Sequence, residues 1–330
     1  MVMSWLDDIC MRANTFDGFV DLFDRVLERL AVSQNTLKGS KCELLRAEMD
    51  VLGFVSTPHG LMLQKPKLAK IMQDGIPRRP GEAKTFLGAV AFLRRMVPRI
   101  SLLAAPMTAA VKSYEKRNAE SKGARLARRR NQGTRPAFAP AEQEYVNQSW
   151  HAIIEHLDGD SVIVPPDFDD PLAHYAICTD ASDFAVGGVL MQWQRSSGPV
   201  PSTAPPPTPK GEDPLDSKWR KANGYKLVVL GYYSKTLTES QRNYAIFDKE
   251  AGALLLCVRQ WSDLITYHPT TVYTDSAVAT SMLTKHAAPP RLQRWGLELG
   301  AYLPHLKIAF RKGEDNGLAD LLSRYPAFEN

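Results

Sequence analysis

Four acidic residues of this 330-residue chain have the type and placement to do chemistry: Asp180 in TDAS, Glu250 in DKEAGALLL, Asp275 in YTDS and Asp320 in GLADLLSR. Asp180 and Asp275 each close a short strand-like run, HYAICTD and TTVYTD. Glu250 lies inside an amphipathic helical pattern, and Asp320 opens the last short helical stretch. A carboxylate is costly to bury alone, so a buried group of them needs cations to offset the charge. Two Mg²⁺ ions roughly 3.5–4 Å apart would supply that charge and could drive phosphodiester hydrolysis.

The placement of Glu250 follows from periodicity. Between Asn243 and Trp261, apolar residues recur at Ile246, Ala253, Leu254, Cys257 and Trp261, a period near that of a helix. Glu250 is four residues after Ile246 and four before Leu254, on the apolar stripe itself. An acid there is paired, protonated or bound to metal; a core ion pair or a residue at the edge of the stripe is the bland reading. The two strand-end aspartates favour metal.

The elements that must position these groups are bounded by length and composition. A chain of 330 residues suggests two or three domains, and 44% apolar residues suffice for cores. Four cysteines, Cys10, Cys42, Cys178 and Cys257, form no C-x-x-C pair, against a zinc site and against a disulfide framework. The longest apolar run, Ala251 to Val258, is too short to cross a bilayer. With no signal-like N-terminus, the expected setting is a reducing interior, cytoplasm or nucleus. The net charge of +5 is uneven: Lys112–Arg135 holds nine basic residues against Glu115 and Glu120. With few apolar residues, it reads as a mobile or marginally helical basic linker, dispensable for folding. Its Arg128, Arg129 and Arg130 could hold a phosphate backbone or direct nuclear import.

The chain opens strand-like. A clear amphipathic helix follows, with Phe19, Phe23, Val26, Leu27 and Leu30 on one face. Glu43 to Val55 reads as short strands with a turn at Thr57–Gly60, and Lys65 to Met107 as short helices punctuated by prolines. Pro140 to Leu157 is helical. From Leu172 onward strands and helices alternate, as in an α/β domain: strands over Tyr175–Asp180, Gly187–Trp193, Leu227–Ser234, Thr271–Asp275 and Leu306–Phe310. Pro199–Pro214, with seven prolines, reads as an exposed excursion from a hairpin.

The order of these pieces resembles the C-terminal part of a gypsy-type LTR retrotransposon reverse transcriptase/ribonuclease H polyprotein. Ser4-Trp5-Leu6-Asp7-Asp8-Ile9 is similar to the polymerase Y-x-D-D hairpin, with Trp5 where tyrosine is usual. Phe86-Leu87-Gly88, Arg94-Arg95, Pro98 and Ala105-Pro106-Met107 look like the thumb signature. Thr179–Ser182, Tyr233-Ser234-Lys235, Gln241–Tyr244, Lys249-Glu250 and Ala319–Arg324 match the ribonuclease H motifs. The resemblance implies an RNase H-like mixed five-stranded α/β sheet flanked by helices over 172–330. Before it come a truncated palm end (1–63), a helical thumb (64–111), the basic linker (112–135) and a connection (136–171). It further implies two Mg²⁺ ions, or Mn²⁺, on Asp180, Glu250, Asp275 and Asp320, and hydrolysis of the RNA strand of an RNA–DNA hybrid. Ser182, Gln241, Asn243, Tyr244, Ser276 and Arg324 would be nucleic-acid contacts, and no membrane is involved. Asp7 and Asp8 look like remnants of a polymerase site whose earlier aspartate and fingers belong to a longer parent. The competing reading is a catalytically inactive nucleic-acid-binding remnant, which the four retained acids disfavour.

Overall fold

The computed structural model describes all residues except 1, 6, 7, 14, 52, 59, 121–136, 158–162, 169, 171, 196–214, 281–288, 303 and 324–330. Asp7, Arg128, Arg129, Arg130, Arg324 and the Pro199–Pro214 stretch therefore lie outside the described residues. The chain divides into two compact units, Met1–Gln64 and Lys65–Asn330.

In the first unit, β1 (Val2–Trp5) and β2 (Asp8–Met11) pair antiparallel, with Trp5 opposite Asp8. The helix Phe16–Val32 starts where Thr15 Oγ1 accepts from Gly18 N at 3.1 Å. Its apolar face stacks Phe19 on Phe23, yet none of its residues is buried. β3 (Met49–Val51), β4 (Phe54–Thr57) and β5 (Gly60–Leu63) form an antiparallel meander. Residues 43–48, expected to be extended, carry no strand.

The second unit begins with helices Lys65–Gln73, Pro80–Phe92, Ile100–Leu103, Ala105–Glu120 and Pro140–Leu157. The Ala105–Glu120 helix takes in nine residues of the basic stretch, Lys112–Glu120. Tyr114 anchors them, buried edge-on against Phe138, while Arg117 pairs with Glu142 at 2.6 Å. The Pro140–Leu157 helix is tied to its neighbour where Met107 N donates to Ser149 Oγ at 2.9 Å.

The sheet that follows has order β10-β9-β6-β7-β8, from β6 (Tyr175–Ala181), β7 (Ala185–Arg195), β8 (Tyr225–Thr236), β9 (Thr270–Thr274) and β10 (Leu306–Phe310). β6–β7–β8 are antiparallel, whereas β9 runs parallel to both β6 and β10. This is the mixed five-stranded sheet expected. Tyr175 to Asp180 are all buried, because both faces are covered. On one face, Tyr175, Ile177, Val186 and Leu190 pack with Leu254 and Val258 of the Ile246–Gln260 helix. On the other, Ala176, Cys178 and Val189 pack with Ala319 and Leu322 of the final helix, Gly317–Ser323.

Two adjacent glycines of β7 permit those approaches. A Cβ at Gly188 would sit 2.3 Å from Cys257 Sγ, and one at Gly187 2.6 Å from Ser323 N and 2.7 Å from Leu322 C. The outer edge of β8 is closed by the helical segment before the sheet. Tyr232 N donates to Arg95 O at 3.0 Å, Ser101 N to Ser234 Oγ at 3.0 Å and Ser101 Oγ to Ser234 O at 2.5 Å.

Candidate metal centre

Asp180 and Asp275 come together because β6 and β9 are parallel neighbours. Their register pairs Tyr175 with Thr270 and Cys178 with Tyr273. Continued two residues further, the same offset brings Asp180 level with Asp275, both at the carboxyl ends of their strands. Alternation turns Asp180 to the face of the final helix, with Ala176 and Cys178. Glu250 arrives from the Ile246–Gln260 helix, whose Ala253, Leu254 and Cys257 are fully buried. Ile246, expected on the same stripe, is 73% exposed.

One carboxylate oxygen from each of Asp180, Glu250 and Asp275 lies within 4.8 Å of the others. Asp180 and Glu250 are buried; Asp275 is more open, and a Cβ at Gly313 would come within 3.2 Å of its Oδ2. Burial, and then the charges of Asp180 and Asp275, push Glu250 up to about 8, while a hydrogen bond from the Ala181 backbone works the other way. Glu250 Oε2 is buried without a hydrogen-bond partner. Three hard oxygen donors around an orphaned buried oxygen fit a divalent cation such as Mg²⁺ or Mn²⁺. Neither histidine nor cysteine joins this group among the described residues. His174, held down to about 4 by burial and by Arg220 and Lys307, bonds Thr271 Oγ1 at the other end of β6.

Asp320 does not join the 4.8 Å group. It is half-buried on the Gly317–Ser323 helix, which lies against the β6–β7 hairpin. The proposed nucleic-acid contacts divide. Ser182 Oγ is occupied locally, accepting from Phe184 N and Ala185 N and donating to Ser323 O at 2.7 Å. Gln241 closes a capping box with Thr238, and Ser276 Oγ accepts from Ala279 N at 3.2 Å. Tyr244 lies under the Arg291 guanidinium at 3.7 Å, and Arg291 also pairs with Asp248 at 2.7 Å. Asn243 is exposed. Asp8 is exposed in the first unit.

Three supports escaped the sequence reading. Lys249, buried, pairs with exposed Asp183 at 2.6 Å. Asn316 Nδ2 donates to Thr179 O at 2.9 Å beside Asp180. Ser323 Oγ donates to Asp180 Oδ2. Two of them lie within the motifs read from the sequence, Lys249 beside Glu250 and Ser323 three residues after Asp320, whereas Asn316 had no signal.

A strand-ordered sheet of this kind, with acids at the ends of its central parallel strands, is an RNase H-like fold. Residues 170–302 match the family described as the RNase H-like domain found in reverse transcriptase. Similarity continues beyond that domain. The chain is 24% identical over 326 residues to a retrovirus-related Pol polyprotein from transposon 297 of Drosophila melanogaster, covering 99% of this chain and 25% of that protein. It is 25% identical over 327 residues to the transposon Tf2-3 polyprotein of Schizosaccharomyces pombe, covering 98% of this chain and 20% of that protein. The chain thus spans a quarter or less of these relatives' length. Among solved structures, a foamy viral protease-reverse transcriptase in complex with an RNA/DNA hybrid shares the fold. Its TM-score is 0.65 at 17% identity, over 94% of this chain and 36% of that one. The resemblance to gypsy-type retrotransposon polyproteins therefore holds over nearly the whole chain, and the match to the RNase H-like family falls at 170–302.

Proposed function

We propose that this chain is a ribonuclease H-type endonuclease that cleaves the RNA strand of RNA–DNA hybrids. The carrying observation is the convergence of Asp180, Glu250 and Asp275 around a buried, unpartnered carboxylate oxygen. These three would hold divalent metal, and Asp320 is proposed as a further ligand from the final helix. Bound there, two Mg²⁺ ions would supply water activation and stabilisation of the leaving 3′-oxygen. The chain's own residues set the conditions. Burial keeps Asp180 and Glu250 out of bulk water, and like-charge crowding makes the empty site take up a proton that a bound cation would displace. Hybrid selectivity would come from 2′-hydroxyl contacts and groove shape rather than base reading. Of the proposed hybrid contacts among the described residues, Asn243 is the exposed one.

Asp7 and Asp8 are proposed as remnants of a polymerase site. The test is direct: with Mg²⁺, the chain should cleave the RNA of a hybrid and fail to extend a primer. Asp275→Asn should reduce cleavage at least a hundredfold, since an amide keeps the shape but loses the charge. Hybrid binding without cleavage by the unsubstituted chain would favour the inactive-remnant reading. Primer extension, or full cleavage by the variant, would overturn the assignment of chemistry to these residues.

A further inference from the structure

We propose that Ser323 is a positioning residue for the metal site, fixing Asp180 through its hydroxyl; this deepens the nuclease reading and rests on it. Ser323 is fully buried, and Asp180 is nearly so. The serine hydroxyl has one proton and two acceptors in reach, Asp180 Oδ2 and, at 3.1 Å, its own helix's Asp320 O. The contact with the carboxylate is the shorter, and a charged acceptor binds a proton more strongly than a peptide carbonyl. The proton therefore belongs to Asp180. One oxygen of that carboxylate is held by the final helix before any ion arrives.

Two further observations show that the helix is placed for this. Gly187 stands opposite Asp180 in the β6–β7 register, and at that point a Cβ would strike the backbone of Leu322 and Ser323. The absent side chain lets the helix backbone descend onto the strand pair at the level of the ligand. Ser323 O in turn accepts from Ser182 Oγ at 2.7 Å, tying the helix's last residue to the turn that follows Asp180. That bond fixes the backbone of Ser323 beside the strand end, which keeps its hydroxyl within reach of Asp180. Groups that orient a metal ligand in this way contribute about 10–100-fold to metal affinity.

Mn²⁺ binding to the full chain, followed by the loss of the free-ion electron paramagnetic resonance signal, tests the inference without any turnover. Ser323→Ala should weaken Mn²⁺ binding about tenfold. Ser323→Cys, which fills the site but is a poor donor, should weaken it comparably. Thermal unfolding of both metal-free variants reports the fold separately, so affinity is compared only on folded protein; if Ser323→Ala does not fold, the Ser323→Cys comparison decides. Mn²⁺ affinity in Ser323→Cys equal to that of the unsubstituted chain would overturn the positioning role and leave the metal centre standing. Absence of Mn²⁺ binding in the unsubstituted chain would instead overturn the metal centre, and the positioning role with it.

Discussion

At the scale of single residues, the behaviour of Glu250 is governed by what surrounds it. With its folded pKa pushed up to about 8, above the ordinary carboxylate value, the metal-free native state holds a proton that the unfolded chain has released. That contribution to stability is complete below the unfolded pKa, near 4, and is lost as pH rises through about 8. In EDTA, the melting temperature should therefore fall between pH 5 and pH 9, and Glu250→Gln should flatten the fall. An unchanged slope in that variant would place the titrating group elsewhere. Asp275→Asn should raise the metal-free melting temperature near pH 8, because one of three crowding charges is gone. Saturating Mg²⁺ should reverse the order of the two proteins, since only the unsubstituted chain has the full ligand set. The serines show the limit of reading residues by type: Ser182 and Ser276 spend their hydroxyls on neighbouring backbone, as short polar side chains commonly do.

At the scale of elements, Gly187→Ala is the sharpest probe. The new Cβ would meet backbone atoms at 2.6–2.8 Å, which cannot swing aside, so the final helix must lift from the sheet. The expected loss is about 1–3 kcal/mol in urea unfolding, the usual cost of overpacking. Mn²⁺ affinity should fall with it; a variant as stable as the parent would mean that the helix is not held where the glycine allows. Much at this scale was legible in the sequence. The alternation and buried runs of Tyr175–Asp180 and Leu306–Phe310 signal strands, and the helical period locates Glu250. What escaped was what depends on distant partners. Lys112–Glu120 looks like a charged linker because Phe138, the ring that Tyr114 packs against, is far along the chain. Asp320 shares a motif with the ligands, but a motif carries no distance.

At the scale of the whole molecule, the charge imbalance leads to a binding prediction. Replacing Arg128, Arg129 and Arg130 with glutamine should weaken hybrid binding and reduce its salt dependence, while cleavage of bound substrate stays unchanged. Equal salt slopes for the two proteins would remove the basic stretch from the interface. The closed edge of β8 has a consequence in time rather than in space. Ser101 and Ser234 are 133 residues apart, so their hydrogen bonds join segments made far apart during synthesis. On a ribosome, the helices before the sheet emerge first and wait for the strand that they will cap. Closing so long a loop is entropically costly, which favours late formation, after the sheet itself has assembled. A Ser101→Ala chain should then refold at nearly the parent rate but unfold several times faster in stopped-flow denaturant jumps. Slowed refolding would instead put this joint in the nucleus, with the helical arm guiding the sheet's assembly.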